Sequence, residues 1–198
     1  MKIVFATGNA GKIREVKAIL ADLNMEVLSM KEAGVFAEAE ENGTTFAENA
    51  VIKAKDIAAK APGDIVMADD SGLVVDALNG EPGIYSARYM GEDTSYSIKN
   101  ANIIARLEGV PVESRTARFM CAIAAVLPDG RIFTTEGSIE GYIGYEERGE
   151  GGFGYDPIFM VPEYDCSTAE LSAEAKNAIS HRGKALEAMK LKLQNALE

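Results

Sequence analysis

The sequence predicts an α/β fold built on an extended mixed sheet. Short apolar runs alternate with helical patterns through the first half of the chain, and two long strand candidates joined at Pro128-Asp129-Gly130 dominate the second. At 198 residues and 47% apolar content the chain can bury a sizeable core, so the expectation is a single domain over residues 1–198, with two lobes sharing one sheet.

Residues 2–6 read as a buried strand, followed by the turn Thr7-Gly8-Asn9-Ala10-Gly11 and a helix with the apolar stripe Ile13, Val16, Ile19 or Leu20, and Leu23. Asn9 is placed to cap that helix. A second strand near Val27-Leu28 leads to an acidic loop, Glu38 to Gly43, and a helix over about residues 46–60. Thr45 and Glu48 have the spacing of a capping box, and Phe46, Ala50, Ile57 and Ala61 fall on one face. Ile65-Val66-Met67-Ala68 reads as a buried strand running into a glycine turn, Asp69-Asp70-Ser71-Gly72, before a further short strand, Leu73-Val74-Val75.

Beyond the turn-rich Gly80-Glu81-Pro82-Gly83, a helix is expected over about residues 94–107. The long hairpin follows, Arg115 to Leu127 and Arg131 to Tyr145. Ala117, Phe119, Cys121, Ile123, Ala125 and Leu127 alternate along its first strand and mark the core face. A glycine-rich stretch, Gly149 to Gly154, precedes a last helix over about residues 181–197 that buries Ala185, Met189 and Leu193.

Composition narrows the function. A net charge of −11 argues against nucleic acid as a partner, because a phosphate backbone demands a broad basic surface. A small anionic ligand held in a local pocket remains compatible. No apolar run approaches the roughly 20 residues of a membrane span, so no membrane association is expected, and Ile3-Val4-Phe5-Ala6 is too short for a signal peptide. The expected location is the cytoplasm. Cys121 and Cys166 lack metal-ligand company and read as reduced thiols.

Two adjacent carboxylates, Asp69 and Asp70, at the end of a buried run are costly to desolvate unless a metal, a proton or water offsets their charge. An ordinary solvated turn is the alternative. Thr7 to Lys12 place a glycine-bearing turn at a helix start, where backbone N–H groups and the dipole favour a phosphate. It is neither a Walker A loop, since Ala6 and Ile13 break that pattern, nor a dinucleotide fingerprint. Glu40 and Glu41, joined with Asp69 and Asp70, offer the hard oxygen ligands that Mg²⁺ takes alongside substrate phosphates. Phe153-Gly154-Tyr155-Asp156 combines aromatic rings with glycines that permit close approach, as base stacking or plain core packing would use. Ser180-His181-Arg182 clusters donors at a helix start. Ser71 has no histidine partner in a hydrolase arrangement.

Taken together, Thr7 to Lys12, Glu41 to Ala50, Ala68 to Leu73, Pro82 to Arg88, Gly152 to Pro157 and Ser180 to Arg182 closely resemble the inosine triphosphate pyrophosphatase family, in that family's order. The resemblance implies two lobes around a central active-site cleft. It also implies hydrolysis of noncanonical purine nucleoside triphosphates (ITP, dITP and XTP) to the monophosphate and pyrophosphate, with Mg²⁺, by a cytosolic homodimer. Carried over by position, Thr7, Gly8, Asn9, Ala10, Gly11 and Lys12 hold the phosphates. Asp70 accepts a proton from the attacking water and helps bind the metal, and Glu41, beside Glu40, is the other metal ligand. Ser71, Phe153, Gly154, Tyr155, Asp156, Lys176, His181 and Arg182 contact the nucleotide.

The base reading has a physical rationale. Hypoxanthine and xanthine present a keto oxygen at C6 where adenine presents an amine, so donors from His181 and Arg182 would be left unpaired by adenine at a cost of about 1–3 kcal/mol each. Two other functions fit the same motifs: a nucleotide-binding sensor without turnover, which would have no need of the paired carboxylates, and a hydrolase of the standard triphosphates.

Overall fold

The structure is a computed structural model that describes residues 1–36 and 39–197. Its strands and helices are β1 (Ile3–Phe5), α1 (Ala10–Ile19), β2 (Val27–Ser29), α2 (Phe46–Ala58), β3 (Ile65–Val75), α3 (Tyr96–Arg106), β4 (Thr116–Val126), β5 (Ile132–Ile143), β6 (Phe159–Val161), β7 (Cys166–Ser167), α4 (Ala173–Ile179) and α5 (His181–Leu197). The strands form one seven-stranded sheet in the order β2-β1-β3-β4-β5-β6-β7. β1 pairs in parallel with β2 and β3, while β5-β6 and β6-β7 are antiparallel, so the expected mixed α/β sheet is present.

The helix starts follow from local chemistry. Asn9 Oδ1 accepts from the amides of Gly11 and Lys12 at 2.8 and 3.2 Å and opens α1. Thr45 Oγ1 accepts from Glu48 N at 3.1 Å and opens α2, but the Glu48 carboxylate turns to Thr44 N and Oγ1, at 2.7 and 2.8 Å, rather than closing the box on Thr45. Of the expected acidic loop, Glu38 lies outside the described residues. Three short elements, β6, β7 and α4, carry too little periodicity to be anticipated.

The chain divides into two compact units. The first comprises Met1–Asp70, Cys121–Gly137 and the segment from His181; the second comprises Ser71–Met120 and Ser138–Ser180. In the first unit the two faces of the strands bury different sets of side chains. Ile3, Phe5, Ile65, Met67, Cys121, Ile123 and Ala125 pack with Val16 of α1 and with Ala185, Leu186, Met189 and Leu193 of α5. Val4, Val66, Ala68, Ala122 and Ala124 pack with Ala50, Ala54 and Ile57 of α2. Each fully buried Ile, Leu or Met contributes about 1.5–3 kcal/mol. The expected core face of β4 is therefore buried, and so is its opposite face along residues 121–126.

The second unit has its own core, in which Leu73, Val75, Ile103, Leu107, Phe119 and Phe159 are buried. Arg115, 1% exposed, donates to the carbonyls of Ile143, Leu107 and Gly144 at 2.7–2.8 Å and clamps the strand end to the end of α3.

One expectation fails in a way that matters. Asp69-Asp70-Ser71-Gly72 is no turn: β3 runs unbroken from Ile65 to Val75, with Asp69 and Asp70 buried in its middle. Composition favours a turn there, but Lys12 and Arg182 pair with the Asp69 carboxylate and Asn49 hydrogen-bonds that of Asp70, which offsets part of the desolvation cost that would otherwise end the strand.

Candidate active site

Alternation along β3 sends Asp69 to the α1/α5 face and Asp70 to the α2 face. The Asp69 carboxylate receives Lys12 Nζ at 3.0 Å and Arg182 Nη2 at 3.2 Å, and the Cys121 thiol lies 4.0 Å away. Burial works to raise the Asp69 pKa, but Lys12, Arg182 and Lys53 outweigh it and hold the carboxyl below the usual range. The same environment pushes the Cys121 thiol up to about 12, so it is an inert core thiol. Arg182 also pairs through Nη1 with Glu15 of α1.

Asp70 lies in a different field. Asn49 Nδ2, on α2, donates to its Oδ2 at 3.1 Å. Burial raises the Asp70 pKa and the Glu41 carboxylate adds to the effect, while Lys53 and Asn49 oppose it without cancelling it. A carboxylate whose proton affinity is raised is a better proton acceptor at neutral pH than an ordinary surface Asp. Lys53 joins the two aspartates' surroundings, with Nζ 2.6 Å from Glu41 Oε1 and 3.0 Å from the Asp69 carbonyl oxygen. Burial disfavours its charge, yet Asp69, Glu41 and Asp70 keep its pKa above the usual lysine value.

At the β1–α1 turn, Thr7 Oγ1 accepts from Asn9 N at 3.1 Å, and Asn9 in turn holds the Gly11 and Lys12 amides. Two of the helix-start amides are thus taken by Asn9, and the ammonium of Lys12 is poised on Asp69. Lys12, Glu41, Asp69, Asp70, His181 and Arg182 all belong to the first unit.

The second unit assembles the aromatic segment. The Asp156 carboxylate accepts from Phe153 N at 2.8 Å, Lys176 Nζ at 2.7 Å and Thr168 Oγ1 at 2.9 Å. Gly152 is required beside it, because a Cβ there would come 2.2 Å from Asp156 Oδ2 and the backbone adopts φ +70°. Lys176 Nζ stands 4.8 Å from the Phe153 ring centroid, and Tyr155 donates its hydroxyl to the Ser86 carbonyl at 2.6 Å. Asp156, Lys176 and Tyr155 therefore shape the segment from within, beyond the nucleotide contacts expected of them. Ser71, half-buried, follows Asp70 on β3.

The sequence reading gives no role to Lys53, Glu15 or Asn49, the last of which stands in the Glu41 to Ala50 motif. A signal existed for Lys53 and Asn49. Asn49 and Lys53 lie four residues apart, each next to a buried alanine (Ala50 and Ala54), and polar residues bordering a buried helical stripe need partners. Glu15 carried no such mark, since its partner Arg182 is remote in sequence.

For a cation, Glu41 and Asp70 are the available pair. Among the described residues no group of three or more His, Cys, Asp or Glu side chains is gathered for a metal. Two carboxylates, leaving most of a coordination shell to water and substrate oxygens, would suit Mg²⁺ better than zinc or a full calcium cage.

The structure is that of a mixed-sheet α/β protein whose first unit buries Asp69 and Asp70 beside Lys12, Lys53 and Arg182. The chain belongs to the Ham1 family, whose family model matches residues 3–192. It is 55% identical over 186 residues to a dITP/XTP pyrophosphatase of Desulforamulus reducens, spanning 94% of this chain and 92% of that one. It is 52% identical over 189 residues to a dITP/XTP pyrophosphatase of Geobacter sulfurreducens, spanning 96% and 94%. Among solved structures it resembles the Ham1 protein of Staphylococcus aureus, with a TM-score of 0.86, 42% identity and coverage of 99% and 100%.

Proposed function

We propose that the chain hydrolyses noncanonical purine nucleoside triphosphates, dITP, XTP and ITP, to the monophosphate and pyrophosphate. Full-length identity to dITP/XTP pyrophosphatases supports the substrate class. The observation that carries the chemistry is the contrast between Asp69, neutralised by Lys12 and Arg182, and Asp70, whose pKa is raised.

In this reading Asp70 accepts the proton of the attacking water. Asn49 fixes the carboxylate's orientation through its 3.1 Å hydrogen bond. Lys12 and Lys53 supply fixed positive charge for the triphosphate and the departing pyrophosphate. Mg²⁺ held by Glu41 and Asp70 would draw charge from the phosphoryl oxygens. The turn from Thr7 to Lys12 presents Lys12 to the phosphates. Phe153, Gly154, Tyr155, Asp156 and Lys176 receive the purine, with Ser71 as a further substrate contact. His181 and Arg182 read the C6 keto oxygen, the latter preorganised by its pairs with Asp69 and Glu15.

The resemblance further supports a cytosolic homodimer, which sedimentation of the purified protein tests. No helix among the described residues is long and apolar enough to cross a membrane.

The decisive experiment incubates the protein with XTP, dITP, ITP, ATP and GTP, with and without Mg²⁺, and resolves the products. Pyrophosphate is expected from XTP, dITP and ITP, with ATP and GTP slower. Orthophosphate as first product, or equal turnover of ATP, would overturn the proposal.

A further inference from the structure

The Pro82 to Arg88 and Tyr96 to Asn100 segments have no part in the chemistry above, yet they converge on the aromatic segment within the second unit. Asn100, on α3, is 1% exposed. Its Nδ2 donates to Glu147 Oε1 at 2.7 Å and to the Gly154 carbonyl at 3.3 Å. These two acceptors dictate the amide's orientation, because turning it over would set Oδ1 against a carboxylate and a carbonyl. Its Oδ1 is then buried with no hydrogen-bond partner among the described residues. An orphaned buried acceptor is a cost that an apolar side chain of similar size would avoid. The two donated bonds are what the amide gains in return.

The same helix supplies a second restraint. Tyr96 meets Tyr155 edge to face, with centroids 5.2 Å apart at 90°, and lies 3.6 Å from where a Cβ on Gly154 would stand. Lys99, also 1% exposed, places Nζ 4.9 Å from the Tyr96 centroid and donates to the Ala87 carbonyl at 2.7 Å. The adjacent Ser86 carbonyl takes the Tyr155 hydroxyl at 2.6 Å. Gly154 itself sits at φ +69°, one of several conformations open to a glycine, so its neighbours select it.

We propose that Asn100 is a positioning residue for base binding: by holding the Gly154 carbonyl, and through Glu147 the segment ahead of it, it fixes the conformation in which Phe153 to Asp156 receive a purine. This rests on the reading that those residues take the base. Asn100 touches neither substrate nor the reacting atoms in this role; it acts through Gly154.

The test separates base from phosphate. In Asn100→Ala, KM for XTP and the calorimetric Kd for XMP should both rise about tenfold, the equivalent of one well-placed hydrogen bond to a constrained carbonyl. The kcat should stay within about threefold, and the Ki of inorganic tripolyphosphate, which has no base, within about twofold. A general loss of structure would move the tripolyphosphate Ki as well. Glu147→Ala, at an exposed position that leaves the core intact, should raise KM and Kd about threefold in the same pattern, and it stands in if Asn100→Ala does not fold. An unchanged KM and Kd, or a parallel rise in tripolyphosphate Ki, overturns the positioning role. A wild-type protein that binds XMP but does not cleave XTP overturns the function instead, and the Kd comparison still decides the role of Asn100.

Discussion

Asp69 and Asp70 are consecutive residues of one strand and meet different worlds: Lys12 and Arg182 lie 3.0 and 3.2 Å from the first, and Asn49 lies 3.1 Å from the second. The strand's two-residue period is the cause, since it hands neighbouring side chains to opposite faces. Asp69 is held ionised and Asp70 is pushed toward its protonated form. In the proposed reaction two identical side chains thereby divide between charge anchor and proton acceptor.

Asp69 should be a stability residue. Removing it in Asp69→Ala leaves the buried Arg182 with Glu15 but without the carboxylate it shares with Lys12, and breaking such a buried pair costs about 3–5 kcal/mol. Its folded pKa is depressed, so its contribution is fully present above the unfolded value of about 3.9 and fades as pH falls below that toward the folded value. Urea unfolding followed from pH 7 to acid should show wild type losing stability in that window more steeply than Asp69→Asn. Equal slopes would place the acid sensitivity elsewhere.

Asp70 should behave in the opposite sense. A carboxyl with a raised folded pKa favours the fold when protonated, below the unfolded pKa, and that advantage is lost as pH rises through the folded value. At neutral pH in chelator its charge is therefore a burden. Asp70→Asn should unfold at equal or higher urea than wild type under those conditions while its kcat on XTP falls by about 10²–10⁴. Near-normal turnover would remove Asp70 from the base role.

Much of the fold, and the set of residues proposed for the site, was legible in the chain. Lys12, Glu41, Asp70 and the Phe153 to Asp156 run stand out as residue types in chemically meaningful order, and the strands and long helices follow from apolar periodicity. What could not be read was partnership at long range. Arg182 is 113 residues from Asp69, and no local pattern announces that it answers that carboxylate. Lacking those counter-ions, a strand through Asp-Asp-Ser-Gly looks prohibitive and a turn looks natural. The sheet continues there because tertiary charge pairing overrides local propensity.

Lys12 sits at the meeting of two roles, and Lys12→Met should expose both. Losing the ammonium should raise the Ki of tripolyphosphate about tenfold or more, with inosine binding unaltered, because only the phosphate end loses a charge-assisted contact. Asp69 keeps Arg182, so the fold persists with a modest loss of stability. Unchanged kinetics with XTP and an unchanged Ki would take Lys12 out of the phosphate site.

Lys53 and Glu41 offer a prediction of opposite signs. The Lys53 ammonium, 2.6 Å from Glu41 Oε1, already neutralises part of the carboxylate pair that a divalent cation would use. The Glu41 carboxylate works to raise the Asp70 pKa and Lys53 to lower it, so a lysine there both tempers the carboxylates' repulsion and competes for their oxygens. Lys53→Met should therefore tighten metal binding about tenfold even as turnover drops for want of a phosphate-facing charge, whereas Glu41→Gln should weaken metal binding about tenfold. Titration of Mn²⁺ by electron paramagnetic resonance, on protein without nucleotide, reads metal affinity apart from activity. If both substitutions weaken the metal, Lys53 is holding Glu41 in place for the cation rather than competing with it, and the carboxylate pair depends on the lysine for its geometry.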